Sequence, residues 1–139
     1  MNVIMISPGY PVEMSYFTRA LATVGATVIG VGDQPPDALP LAAWEGLSHY
    51  ERVSLTDEAA VLGALQGLAR HAPFGLVECL WEPYMLLAAH IREVFGIPGM
   101  TVEQTVPFRD KERMKQQSDA AGIRTPRHVS TTTVSGVWD

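Results

Sequence analysis

Short apolar runs alternate along the chain with stretches of helical spacing. The run "NVIMIS" (2–7) has no polar alternation, the pattern of a strand covered on both faces. From Glu13 to Val24 the apolar positions Tyr16, Ala20, Leu21 and Val24 recur three and four residues apart until Gly25 stops them, which predicts a helix with an apolar stripe. "TVIGVG" (27–32) is a second buried strand, so the first thirty or so residues read as a βαβ unit. Three prolines in "DQPPDALPL" make the next stretch a loop with one helical turn around Trp44, and "HYERVSL" (49–55) is a short edge strand. Thr56 is placed to cap a helix carrying Val61, Leu62, Leu65, Leu68 and Ala69, which ends before Pro73. "FGLVECL" (74–80) is the next strand. Pro83 then suits the first turn of a helix in which Tyr84, Leu87, Ile91 and Val94 share a face and Gly96 terminates. "IPGMTVEQ" holds a fifth strand or a turn, and a polar helix runs from Asp110 to Ala121. Strands alternating with helices predict an α/β fold with an open, mostly parallel sheet.

Composition narrows this further. At 139 residues, with 47% hydrophobic and 18% charged residues, the chain fits one globular domain able to bury a core. A net charge of −5 argues against a phosphate-neutralising surface and hence against a nucleic-acid partner. The single cysteine, Cys79, leaves no intrachain disulfide framework and fits a reducing compartment. No run is long enough for a membrane span, and "MNVIMIS" lacks the parts of a signal peptide, so the expectation is a soluble cytoplasmic domain without a membrane partner.

In open parallel sheets ligands bind beyond the carboxyl ends of the strands, where the strand order reverses. If the first and fourth strands are neighbours there, the loops "SPGYP" (7–11) and "LWEPY" (80–84) meet. The first loop is either a Pro-Gly turn that simply reverses the chain or a set of N–H groups and the Ser7 hydroxyl offered to an anion. Glu82 is either a carboxylate placed on a helix dipole or a ligand contact. Trp81 packs or lines the same crevice, Cys79 reads as an inert core thiol, and the direction of Glu78 is left open. The histidines at 49, 71, 90 and 128 have no metal-ligand spacing, and the chain lacks G-x-G-x-x-G, G-x-S-x-G and phosphate-loop motifs. On spacing alone Lys111, Arg113 and Lys115 are a solvated basic face of the polar helix. Asp110 suits the start of that helix and Gly122 its end, with Ile123 folding back towards Met114 or Ser118.

The order Asp110-Lys111, Met114-Lys115, Ala121-Gly122-Ile123 and Thr125-Pro126 resembles the end of the N-terminal, pre-ATP-grasp domain of ATP-grasp carboxylate–amine ligases. "ECLWEPYMLLAAHIREVFGIPGMTVEQ" is similar to the strand, Glu-bearing loop, helix and turn that precede it. The likeness is specific over residues 78 to 126; Arg124 departs from it, standing where the family often has proline. The resemblance implies a Rossmann-like sheet with helices on both faces. It also implies that Lys111 reaches the ATP phosphates and that Glu82, with Ser7, Gly9 and Tyr10 of the first loop, faces the acceptor substrate. In a complete enzyme ATP and Mg2+ would convert a carboxylate to an acyl phosphate that an amine attacks. No metal ligand or catalytic residue is expected within these residues.

The implied organisation is a Rossmann-like domain over 1–108, a linker helix and turn over 109–127, and the start of an ATP-grasp region over 128–139. "RHVSTTTVSGVWD" then reads as a strand followed by a helix that Ser135 would cap, and the chain reads as truncated and inactive alone. Two other readings stand beside it: a stand-alone α/β module that binds a small anionic ligand between 7–11 and 80–84, and a domain that forms a homodimer.

Overall fold

The computed structural model describes residues 1–133. Its elements run β1 (Asn2–Ile6), α1 (Val12–Thr23), β2 (Thr27–Gly32), α2 (Leu41–Gly46), β3 (His49–Arg52), α3 (Glu58–Ala69), β4 (Leu76–Glu78), α4 (Met85–Phe95), α5 (Val102–Arg109) and α6 (Lys111–Ala120), with 3₁₀ turns at Pro36–Ala38 and Glu82–Tyr84. The four strands form one parallel sheet in the order β3-β2-β1-β4. The expected α/β architecture, with helices on both faces, is what the chain adopts.

Register divides the sheet into two faces. Ile4 stands level with Ile29 and Val77, and Ile6 with Val31. Ile4, Ile6, Val31 and Val77 join Val61 and Leu65 of α3 and Leu87, Ala88 and Ile91 of α4 in one apolar cluster. Each such side chain contributes about 1.5–3 kcal/mol when removed from water. The other face carries Val3, Met5, Val28 and Gly30. There α1 and α2 lie so close that a Cβ on Gly46 would stand 2.7 Å from the Arg19 backbone. The same register puts Glu78 opposite Met5, on the α1/α2 side of the sheet, which settles the direction that spacing alone left open.

The stripe expected on α1 is not its buried face. Ser15 and Thr18 are buried instead, while Tyr16, Ala20 and Val24 lie exposed and Leu21 is only partly covered. Short hydroxyl side chains allow α1 to approach the sheet and α2. Their polarity is absorbed locally: Ser15 donates to the Val12 carbonyl at 2.6 Å, and Thr18 lies 3.0 Å from the Pro8 carbonyl and 2.9 Å from that of Met14.

Other boundaries differ for local reasons. The α3 cap is Asp57, whose carboxylate accepts from the Ala60 amide at 3.0 Å; the Thr56 hydroxyl lies 2.9 Å from that of Ser54. Val94 is 44% exposed on α4, whereas Leu87 and Ile91 are buried as expected. Residues 97–100 are the expected turn, with Gly99 at φ 143°, and no strand follows among the described residues. Helix α5 takes its place, opened by a capping box in which Thr101 accepts from the Gln104 amide and the Gln104 side chain accepts from the Thr101 amide. The strand expected from residue 128 does not form over 128–133, because no described segment pairs with that backbone. The helix cap expected at Ser135 lies outside the described residues.

Candidate functional site

The chain builds β1, β2 and β3 outward in one direction and then returns to place β4 on the free side of β1. The reversal therefore falls between β1 and β4, the condition under which the sequence had the two following loops meet. Tyr10 and Trp81 touch edge to face, with centroids 4.6 Å apart, and Trp81 meets Tyr84 in the same way at 5.1 Å. The meeting point is thus a row of three aromatic rings across the crevice.

The first loop owes its shape to its own residues. Ser7 has φ 55°, a left-handed backbone that a non-glycine residue adopts at a cost of about 1 kcal/mol or more. It is held there by its amide, which donates to the Val31 carbonyl at 2.8 Å, and by its hydroxyl, which donates to the Tyr10 carbonyl at 2.8 Å. Ser7, Pro8 and Gly9 are buried. A Cβ on Gly9 would lie 2.8 Å from Pro40 Cδ and 2.9 Å from Gln34 Oε1, so only glycine lets the loop pass beneath the residues before α2. Tyr10 is the one of these predicted contacts that the loop exposes, at 49%, and a cis peptide joins it to Pro11.

In the second loop, Glu82 makes no capping hydrogen bond. Its carboxylate accepts from Arg109 at the end of α5, at 2.9 Å, across an exposed pair worth about 0–1 kcal/mol. Neither sequence alternative for Glu82 included this partner. Cys79 donates to the Trp81 carbonyl at 3.2 Å, and burial pushes its thiol up to about 11. That agrees with an inert thiol, since the thiolate is the reactive form. The Tyr84 hydroxyl is pushed up by partial burial and then by the Asp33 carboxylate beyond β2. Asp33 and Arg109 were missed in the sequence. Asp33 follows a strand end, a signal that was legible; the contact made by Arg109 is set by the packing of α5.

Asp110 caps α6, accepting from the Glu112 amide at 2.9 Å and the Arg113 amide at 3.1 Å. Lys111 follows as the first residue of the helix, exposed and without a hydrogen-bonding partner among the described residues. The exit from α6 is closed as expected, with Gly122 at φ 71° and the Ile123 amide donating to the Ser118 carbonyl at 2.9 Å. The following segment is tied back along the helix by three contacts. Thr125 donates to Asp119 at 2.9 Å, Lys115 donates to the Pro126 carbonyl at 3.2 Å, and His128 meets Glu112 at 3.2 Å. Lys115 is therefore engaged, and the three basic side chains do not act as one free face. Among the described residues no three His, Cys, Asp or Glu side chains gather to hold a metal ion, and no helix is long and apolar enough to cross a membrane.

A parallel sheet covered on both faces, with a crevice at the switch point, defines a Rossmann-like α/β domain. Solved structures with this fold include an L-amino acid ligase from Bacillus licheniformis (TM-score 0.73, 21% identity, 90% of this chain and 31% of that one). Phosphoribosylglycinamide synthetase from Anaerococcus prevotii matches with a TM-score of 0.75 at 14% identity, over 96% of this chain and 32% of the other. The biotin carboxylase domain of a single-chain bacterial carboxylase matches with a TM-score of 0.65 at 20% identity, over 97% and 32%. The chain thus spans about a third of the length of each, and the similarity is one of fold. No protein-family model and no curated protein matches the sequence.

Proposed function

We propose that this chain is the substrate-side domain of an ATP-dependent carboxylate–amine ligase, with residues 1–108 as its body and 109–127 as the arm towards an ATP-grasp domain. The observation that carries this reading is the convergence of the 7–11 and 80–84 loops at the β1/β4 switch point, tied to the arm by the Glu82–Arg109 pair. The shared fold with ligases about three times as long supports it. In this reading Tyr10 and Glu82 face the amine acceptor, while Ser7 and Gly9 act by shaping the loop beneath Tyr10. Lys111, free at the start of α6, fits a contact to ATP phosphates, for which a long, flexible cation is suited. In this reading the Mg2+ ligands belong to the ATP-grasp part. ATP supplies activation of the carboxylate; this domain holds and orients the acceptor.

The test is ADP release by a ligase containing this domain, given ATP, magnesium and a panel of carboxylates paired with amines. Lys111→Ala is expected to raise the ATP requirement about tenfold, the equivalent of about 1.4 kcal/mol. Glu82→Gln should raise the KM for the acceptor and leave that for ATP unmoved. ADP release no higher than the blank across the panel would overturn the reading.

A further inference from the structure

The segment that leaves α6 is pinned to that helix, yet its two arginines have nothing to bind. The Ile123 amide is bound to Ser118, Thr125 to Asp119, the Pro126 carbonyl to Lys115 and His128 to Glu112. Among these ties stand Arg124 and Arg127, both exposed, and neither makes a hydrogen bond or ion pair among the described residues. With Thr125 and Pro126 they line one open hollow of about 530 Å3. Other residues therefore carry the ordering of this backbone, and both guanidinium groups are left available on a fixed support.

Charge is divided unevenly along the chain. Residues 1–108 carry 11 acidic and 4 basic side chains, a net −7, whereas 109–128 carry 6 basic and 3 acidic, a net +3. All three carboxylates of the second stretch are engaged away from the two arginines. Asp110 caps α6, Glu112 meets His128 and Gln116, and Asp119 accepts from Thr125. The hollow thus holds two cations and no counter-charge from the described residues.

We propose that Arg124 and Arg127 form a binding site for the phosphate group of a small ligand. A guanidinium fork donates two parallel hydrogen bonds to a pair of anionic oxygens. A carboxylate has one such pair and is filled by a single fork. A phosphate has the oxygens and the charge for both, so two arginines at one hollow favour it. Pro126 fixes the backbone between them, and the local excess of positive charge draws an anion in from solvent. The hollow leaves room for the group that carries the phosphate, which admits a phosphate ester or a polyphosphate. This site is separate from the contact proposed for Lys111, which does not line the hollow, and it does not depend on the ligase reading.

The test is titration of the 15N-labelled 139-residue chain with inorganic triphosphate, followed through the arginine Nε–H signals. Sodium chloride at matched ionic strength is the blank. Saturable shifts at Arg124 and Arg127 are expected, with a Kd of about 1 mM or lower. Arg124→Gln and Arg127→Gln should each weaken binding at least about tenfold, or about 1.4 kcal/mol. Neither side chain has a partner to lose, so the Ile123 amide signal and the Tm should stay where they are. Arg70→Gln, at an exposed arginine ending α3, should leave binding unchanged. ATP read at the same two signals identifies the source of the phosphate. Tighter binding than triphosphate assigns a nucleotide, and binding no tighter assigns the phosphate groups alone. Shifts that fail to saturate or that sodium chloride reproduces overturn the proposal. So does binding that either Gln variant leaves intact, or that Arg70→Gln weakens equally.

Discussion

Gly9 and Cys79 show how single residues determine the crevice. Gly9→Ala is expected to destabilise the fold by about 1–3 kcal/mol, because the added methyl meets the Pro40 ring at 2.8 Å. Denaturant unfolding measures it. At Cys79, burial raises the thiol from 9.0 to about 11, so over that range the unfolded chain has lost a proton that the folded chain keeps. Folding stability should therefore fall as pH rises from 9 to 11, and Cys79→Ala should flatten the part of the fall that belongs to the thiol. Urea midpoints for both chains across that range decide it. Tyr50 adds a similar fall at higher pH, its hydroxyl being pushed by burial from 10.0 to about 12. The importance of Gly9 was not visible in "SPGYP", since the residues it must clear lie about thirty positions along the chain.

At the scale of elements, caps were legible where residue order alone sets them. Asp110 and Gly122 bracket α6 as read, and Gly96 ends α4 with φ 63°. The miss at α5 was of a different kind: Thr101 and Gln104 spell a capping box, but the sequence reading stopped at a strand or a turn and placed no helix after it. Removing these caps should have unequal effects. Asp110→Ala costs α6 about 1 kcal/mol of helix stability. Because α6 buries none of its residues, the loss should appear as faster amide exchange at Glu112 and Arg113, with little change in Tm. Asp57→Ala removes a comparable cap from α3, whose Val61 and Leu65 are in the core, so its cost of about 1 kcal/mol should lower the global Tm.

Across the whole molecule, stability is concentrated between residues 4 and 97, which bound the main apolar cluster. A chain ending at Arg109 should consequently unfold with nearly the Tm of the 139-residue chain; a large drop would show that α6 and its tied-back segment carry global stability. The outer edge of the sheet is a second whole-molecule feature. On the edge strand β4, the Val77 carbonyl accepts from Arg92 Nε at 3.2 Å and Nη2 at 2.6 Å. Gly99 lets the turn pass over that arginine, since a Cβ there would lie 2.7 Å from Arg92 Cδ. Arg92→Ala is expected to cost about 1.5–3 kcal/mol and to promote aggregation through the uncovered edge, as followed by thermal unfolding with light scattering.

The sequence by itself determined the α/β class, the place of β1, β2 and α4, the polar helix α6 with its ends, and the two loops that converge once β1 and β4 are neighbours. These follow from periodicity and from local backbone chemistry, which act within a few residues. Only the tertiary structure decided that α1 buries Ser15 and Thr18 and turns Tyr16 outward, that Glu82 pairs with Arg109, and that Glu78 lies on the α1/α2 face of the sheet. Each of these depends on which surfaces meet across distances of tens of residues. An apolar stripe shows in the sequence whether it is covered by its own fold or left in solvent.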